Sequence, residues 1–441
     1  MKKILFVSSE YYPQPSPNGI CAEKIVRCCR KRGYDVIYLG VTNYKNLPQH
    51  ELIDGVPVYR VKSSLYNRIV CNWHNLPKWC GLLLFTLSKI YMCIKKCLAV
   101  GYWPLNDFAL CKHTFQRICD LHRKYQFDCI VATHGPISAM AALHDFAERE
   151  KGTRCIYYYI DALSAGNAVR INQERFAGLP IKNLFFKIAK KWELCFAQHA
   201  DRIVVTEATK SHYLEHFADA DMLKKMVFLN IPLLEESSES LQGQIKSNQL
   251  VNELFLDGKK VVLFCGRLYS LRDPTYILNV IEKLSRNDVQ WVFLGKYDLD
   301  CEKKLLLAQH KFPNRIKVCG SVSHDLLIPC LDRADFFLNI GERLSSVVAG
   351  KVFEYISWGK PIISTFPISN NSSIPVLKKY PNSLLLNEND EINNDLLRTV
   401  DQFLDGNYGK RVAFADMKKV LYSSTPDAFV DVIDMVLAED D

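Results

Sequence analysis

Short, unbroken apolar runs recur along the chain, each followed by a polar loop and then by apolar residues at helical spacing. The first is Ile4 to Val7 within residues 2–9, followed by a Pro-rich loop that ends at Gly19. A helix is predicted from about Ile20 to Arg32, closed by Gly33, and a second strand over 35–41 (DVIYLGV). Runs that stay apolar instead of alternating mark strands buried on both faces, as in a parallel sheet. Strand, loop, helix and strand in that order predict a doubly wound α/β domain. Further strands are predicted at Phe127–Thr133, Cys155–Ile160 and 202–206 (RIVVT), with a helix over Leu184–Gln198, and residues 51–62 read as a hairpin or edge strand. The stretch 235–250 is polar and reads as a linker. A second series then opens at Lys259. Its first strand ends at Gly266-Arg267, a helix starts near Pro274, and strands follow at 290–298 and from Ile316. It continues with a strand over Phe336–Ile340, a helix over Lys351–Trp358, a turn at Gly359 and a strand over Pro361–Thr365. Ser424-Thr425-Pro426 cap a last helix that reaches Leu437. The expected domains are therefore 1–234, joined by the terminal helix 424–441, and 251–423, with 235–250 between them.

Composition narrows the class. The 441 residues are 48% hydrophobic and 24% charged, enough for two or three buried cores. The 16 cysteines include no Cys-x-x-Cys, and Cys265, Cys319 and Cys330 sit in apolar runs, so free buried thiols in a reducing compartment are expected. Cys119 and His122 have ligand-like spacing without a second pair, and Asp298-x-Asp300 stands in a loop of the second domain; no metal and no cofactor is expected. No leader is read in Lys2-Lys3 and the short run after it, and no apolar run is long enough to span a bilayer. The first strand is not followed by Gly-x-Gly-x-x-Gly, which argues against a nicotinamide or flavin enzyme.

Charge adds a partner class. The net charge is +8, and the segment from Arg60 to Asp128 alone holds eleven Lys/Arg against three Asp, an excess equal to that of the whole chain. Such a region favours an anionic partner. Within it, Leu83, Leu87, Ile90, Tyr91, Ile94 and Leu98 fall at helical spacing. Lys89, Lys95 and Lys96 lie elsewhere on the wheel, and Trp79 and Trp103 stand at the two ends. This fits an amphipathic helix in a membrane interface; the alternative is a helix packed on the sheet. No nucleic-acid-binding module accompanies the charge.

The candidate chemistry lies in Ala334–Thr365. Open parallel sheets bind ligands at the carboxyl ends of their strands. The helix after Gly350 offers unpaired N–H groups to a phosphate, and Glu354, read as first-turn, can accept hydrogen bonds from sugar hydroxyls. Together they suggest a nucleotide-sugar. The motifs Ala334-Asp335, Lys351-Val352-Phe353-Glu354-Tyr355 and Gly359-Lys360-Pro361-Ile362-Ile363 resemble the donor region of retaining glycosyltransferases of family four.

That resemblance implies an α/β protein of the GT-B fold, with two Rossmann-like doubly wound domains facing a cleft, the first for the acceptor and the second for the nucleotide-sugar. It implies that Gly266 and Arg267 hold the donor diphosphate, that Gly320 lies against the base, and that Lys351 and Val352 head the phosphate-binding helix while Glu354 holds the ribose. Gly19 would face donor phosphate and acceptor. His134, in His134-Gly135-Pro136, would lie near the reacting sugar, and Asp161 would cap its strand or meet the acceptor. Two positions depart from the family. Asp273 replaces a lysine and would repel a diphosphate, with Arg272 as the substitute cation; Ser346 replaces the first of two glutamates, and Glu342 lies nearby out of register. The implied reaction is metal-independent, retaining transfer from a nucleotide-diphosphate sugar to a sugar or lipid-linked acceptor in surface polysaccharide or glycolipid assembly. The implied place is the cytoplasm, peripheral at the inner, anionic face of the plasma membrane. The alternatives are a non-catalytic scaffold on the same fold and a nucleotide-sugar epimerase. Donor hydrolysis separates the first, and a changed sugar nucleotide without acceptor reveals the second.

Overall fold

A computed structural model of the chain describes all residues except 12–15, 43–46, 63–68, 70–76, 99–102, 106, 218–220, 237–253, 323, 346–348 and 439–441. The chain divides into two compact units, Met1–Pro232 with Pro426–Asp441, and Leu233–Thr425. The stretch read as a linker lies, but for its first two residues, outside the described residues.

The first unit runs β1 (Lys3–Ser9), α1 (Pro17–Lys31), β2 (Asp35–Thr42), β3 (His50–Ile53), β4 (Val56–Lys62), α2 (Lys78–Leu98), α3 (Phe108–Tyr125) and β5 (Cys129–Thr133). It goes on with α4 (Ile137–Arg149), β6 (Arg154–Tyr159), α5 (Asn167–Arg175), α6 (Leu184–Gln198), β7 (Arg202–Thr206), α7 (Lys210–His216) and β8 (Met226–Leu229). Its sheet has the order β3-β4-β2-β1-β5-β6-β7-β8. Every pairing is parallel except the β3–β4 hairpin at the edge. The unbroken apolar runs are buried as their pattern requires: all five residues of β5 and the five central residues of β1 are buried.

Helix α1 begins earlier than its apolar spacing suggests. Ser16 caps it, accepting the Gly19 N–H at 3.1 Å, and Pro17 opens the first turn. Gly19 therefore lies inside the helix and is not the end of a loop. The terminal helix α15 (Pro426–Ala438, numbered after the second unit's helices below) packs in this unit. Arg32 at the end of α1 pairs with Asp431 and Asp434, each at 2.6 Å, and the Phe429 ring stands edge-on to Tyr158 at 4.9 Å.

The second unit runs β9 (Lys260–Leu268), α8 (Thr275–Lys283), β10 (Val289–Tyr297), α9 (Leu299–Lys311), β11 (Ile316–Cys319), α10 (His324–Arg333) and β12 (Phe336–Ile340). Then come α11 (Gly350–Ser357), β13 (Ile362–Phe366), α12 (Ile374–Leu377), β14 (Ser383–Asn387), α13 (Asn394–Gly406) and α14 (Phe414–Val420). The six strands are all parallel, in the order β11-β10-β9-β12-β13-β14. The order reverses between β9 and β12, and β1 and β5 flank the corresponding point in the first unit; ligands of open α/β sheets bind at such points.

Lys360, from the Gly-Lys-Pro motif, is a structural residue. Its ammonium is buried and bonds the carbonyls of Leu331 (2.9 Å), Ala334 (2.6 Å) and Asp332 at the end of α10, and burial pushes its pKa down to about 7.

Candidate donor and acceptor sites

At the switch point of the second unit, β9 and β12 pair only through Phe336–Val262 and Phe337–Leu263, although β9 runs on to Leu268. The strands part toward their carboxyl ends. The Tyr355 hydroxyl fills the start of the gap, accepting the Cys265 N–H at 2.8 Å, while its ring stacks on Phe337 at 4.4 Å. Above that opening stands Arg267, exposed, its guanidinium 5.7 Å from the Tyr269 ring centre. Gly295, across from Gly266 on the next strand, is forced to be glycine by close approach: a Cβ there would sit 1.7 Å from the Gly266 carbonyl oxygen.

The residues around Arg267 pair differently from the sequence expectation. Arg272, read as the substitute cation for a phosphate, is engaged. It donates to the buried carboxylate of Glu342 at 3.1 Å, and the Tyr269 hydroxyl donates to the same carboxylate. Burial and that carboxylate push the Tyr269 phenol up to about 12. Glu342 is thus the acid of this loop, held by two side chains from the β9–α8 connection and, through its carbonyl, by Asn371 at 2.7 Å.

Asp273 does not present a bare charge. Its carboxylate accepts from the Thr275 N–H at 2.8 Å and pairs with Lys304 of α9 at 2.7 Å. Burial pushes its pKa up, but Lys304 and Thr275 outweigh that and hold it below the usual carboxylate range. Lys304→Met should therefore weaken donor binding by about fivefold, the equivalent of about 1 kcal/mol for one partly exposed charge pair. Asp273→Asn in the same chain should restore it, and a titration of donor affinity in the three proteins checks both.

Helix α11 starts at Gly350, one residue earlier than expected, so Glu354 is its fifth residue and lies beyond the first turn. It forms an ion pair with Lys351 on the same helix. The Val352 side chain is fully buried and its N–H bonds the Ala349 carbonyl at 3.0 Å, which leaves the amides of Gly350 and Lys351 at the helix head. Gly320 is exposed at the end of β11, its carbonyl accepting the Gly295 N–H at 3.2 Å. Ser346, the site of the absent glutamate, lies outside the described residues. Asp298 caps α9 by accepting the Cys301 N–H at 2.9 Å, so the Asp298-x-Asp300 pair is a helix start. Among the described residues no group of His, Cys, Asp and Glu is arranged to hold a metal ion.

In the first unit the structure brings two of the expected residues to one place. The Asn18 side chain lies against Gly135, where a Cβ would come 1.7 Å from its amide nitrogen. The first turn of α1, with Gly19, therefore adjoins the His134-Gly135-Pro136 loop. The His134 ring stacks at 24° on Tyr159, 6.2 Å between centres, with Nδ1 sealed from solvent and unbonded among the described residues. Burial pushes its pKa down to about 4, so the imidazole is neutral at pH 7. His134→Ala should cost about tenfold in turnover, the worth of one neutral hydrogen bond. The pH profile of the wild type should show no inflection near 6.5 from this residue. Asp161 is exposed, two residues past the end of β6.

Sequence reasoning passed over Glu193. It is fully buried in α6, and one oxygen accepts the N–H groups of Leu163 (2.8 Å) and Ser164 (3.3 Å) and the Tyr213 hydroxyl (2.9 Å). It anchors the β6–α5 connection that carries Asp161. The available signal was a lone carboxylate within a helix whose other residues up to Ala197 are apolar or basic.

Comparison with known proteins bears on the same places. Residues 259–404 match the family model described as glycosyl transferases group 1. The second unit is a glycosyl transferases group 1 domain. Among solved structures, sucrose-phosphate synthase from Thermosynechococcus elongatus superposes over 100% of both chains with a TM-score of 0.63 at 12% identity. The catalytic domain of starch synthase IV from Arabidopsis thaliana, bound to ADP and acarbose, covers 99% of both with 0.60 at 9%. The Anabaena HepE protein in complex with UDP-glucose covers 100% of this chain and 99% of its own with 0.52 at 13%. The fold of the chain is thus GT-B. Comparison of the whole sequence with curated proteins finds no significant match. The family assignment supports glycosyl transfer from a nucleotide-sugar. Among the described residues no helix is long and apolar enough to cross a membrane.

Proposed function

We propose that this protein is a retaining, metal-independent glycosyltransferase that moves a sugar from a nucleotide-diphosphate sugar to a sugar or lipid-linked acceptor in surface polysaccharide or glycolipid assembly. One observation carries the donor side: an exposed arginine, Arg267, at the carboxyl end of the strand where the sheet order reverses, within the matched domain. As the sugar leaves, the diphosphate gathers negative charge. Arg267 and the amides of Gly350 and Lys351 then stabilise it, which is electrostatic catalysis. The donor phosphate can take the proton of the incoming hydroxyl, so no pair of carboxylates is required. Glu354 is the residue for the ribose hydroxyls, and it must exchange its ion pair with Lys351 for them. The acceptor side is read from Gly19, His134 and Asp161. UDP-glucose and ADP in the structures of similar fold support a nucleoside diphosphate in the donor role. The basic first unit supports an anionic acceptor at the inner face of the plasma membrane.

The test is a panel of UDP-, GDP-, TDP- and ADP-sugars, read by thermal shift and by nucleotide release, with Arg267→Ala and Glu354→Ala alongside. Stabilisation and slow release with one nucleotide-sugar, lost in both variants and insensitive to chelator, supports the reading. The anomeric configuration of the product decides retention. A folded protein that none of them stabilises is a scaffold.

A further inference from the structure

Helix α2 is turned inside out for a helix of a soluble domain. Its narrow packed edge is made of Gly81 and Ser88, which are buried, and of Cys80 and Phe85, which are half-buried. Its large side chains face away: Trp79, Leu82, Leu83, Leu87, Ile90 and Tyr91 are 53–73% exposed. Singly exposed apolar residues are ordinary; six on one face of one helix call for a cover. A second apolar group stands on α5 and the α5–α6 connection, where Ile171 of the helix and Leu179 and Ile181 of the connection are 41–52% exposed. Aromatic packing ties that connection to Trp103. Trp103 meets Phe185 edge-on at 5.3 Å, and Phe176 stacks on Phe185 at 6.2 Å. Trp103 is five residues past Leu98, so it lies within about 19 Å of the end of α2.

Charge selects the cover. Helix α2 contains four lysines and no acidic residue, and residues 166–191 contain six Lys/Arg and one glutamate. Together these two segments carry more positive charge than the whole chain's +8, so the remainder is slightly acidic. An apolar face with lysines and no acid suits the boundary between acyl chains and anionic headgroups, where Trp79 also finds its preferred place. A second copy of the chain suits it less, because like charges would be brought together as α2 met its own kind.

We propose that the outward face of α2, with the α5–α6 connection as a second contact, docks the first unit on a bilayer that carries anionic lipid. This deepens the reading above by naming the surface that would hold the protein near a lipid-linked acceptor, and it rests on that reading only for its purpose. The binding itself is separable from donor turnover.

The experiment is flotation of the full chain with vesicles of phosphatidylcholine alone and of phosphatidylcholine with phosphatidylglycerol, at low and high salt, with no nucleotide present. Binding is expected only to the anionic vesicles and should fall as salt rises. Leu83→Glu/Leu87→Glu, at exposed positions, should lower the partition coefficient by about 10²-fold or more, from the lost burial of two leucines. Leu179→Asp/Ile181→Asp should lower it by about tenfold, one leucine-sized contact being partly buried there. A circular dichroism spectrum and urea midpoint matching the wild type establish that each variant is folded. The proposal is overturned by absence of wild-type binding, by equal binding to both vesicle types, or by undiminished binding of either variant. It is equally overturned by a wild-type dimer that Leu83→Glu/Leu87→Glu splits into monomers. Loss of nucleotide release in a protein that still floats would sink the transferase reading and leave this one standing.

Discussion

Arg267→Ala is expected to lower kcat/KM for the nucleotide-sugar by about 10²- to 10³-fold, the range for deleting one preorganised donor to a developing negative charge. The effect should fall mainly on kcat, because the diphosphate carries more charge in the transition state than in the bound donor. Arg267→Lys should recover only part of the loss, since a point charge on a flexible stem does not reproduce a planar, two-pronged donor. Stability should not move. Arg267 is exposed, and its described contact is with the Tyr269 ring alone, so the urea midpoint of Arg267→Ala should match that of the wild type. Steady-state kinetics on the donor found in the panel, beside an equilibrium urea titration, checks both halves. Unchanged kcat/KM in Arg267→Ala would place the leaving group elsewhere and remove the main support for the donor site.

What the sequence reveals and what it hides divides along a physical line. Strands such as Phe336–Ile340 are legible because burial on both faces demands an unbroken apolar run, and all five residues are buried. Helix α6 is legible to the residue, Leu184 to Gln198. The start of α1 was available from Ser16 and Pro17, a capping residue followed by a proline, but the apolar spacing pulled the expected boundary inward. The donor site is legible as a place and not as a set of charges. Arg272 finds Glu342, seventy positions away, and Asp273 finds Lys304, thirty-one away. Spacing along a chain carries no information about which distant carboxylate will face which cation. Asp273 consequently reads as a defect in the sequence and as half of an ion pair in the fold. Similarly, the periodicity of α2 shows that it has an apolar face, while only the packed edge of Gly81 and Ser88 shows which way that face is turned.

Glu193→Ala is expected to destabilise the first unit by about 3–5 kcal/mol, because three buried donors lose their acceptor at about 1–3 kcal/mol each, with some relaxation. The Leu163 and Ser164 N–H groups and the Tyr213 hydroxyl all converge on one of its oxygens. Glu193→Gln keeps an oxygen there and should cost much less. Wild type and Glu193→Gln should also differ in pH dependence. Burial pushes the Glu193 carboxyl up to about 7, even though the bonds from Ser164, Tyr213 and Leu163 pull it down. In the unfolded chain an ordinary glutamate ionises near 4.5. Between these values the folded protein binds more protons than the unfolded one, so wild-type stability should fall as pH rises through that window. The loss should amount to about 3 kcal/mol above pH 7. His134 and His212, both pushed down to about 4 by burial, contribute the opposite slope below their ordinary value, but they do so in both proteins and cancel in the comparison. Urea titrations of wild type and Glu193→Gln from pH 5 to 8 measure the difference directly. Parallel pH profiles would show that Glu193 is ionised throughout, held by its three donors, and that its role is to anchor the Asp161 loop as a carboxylate and not as a neutral acid.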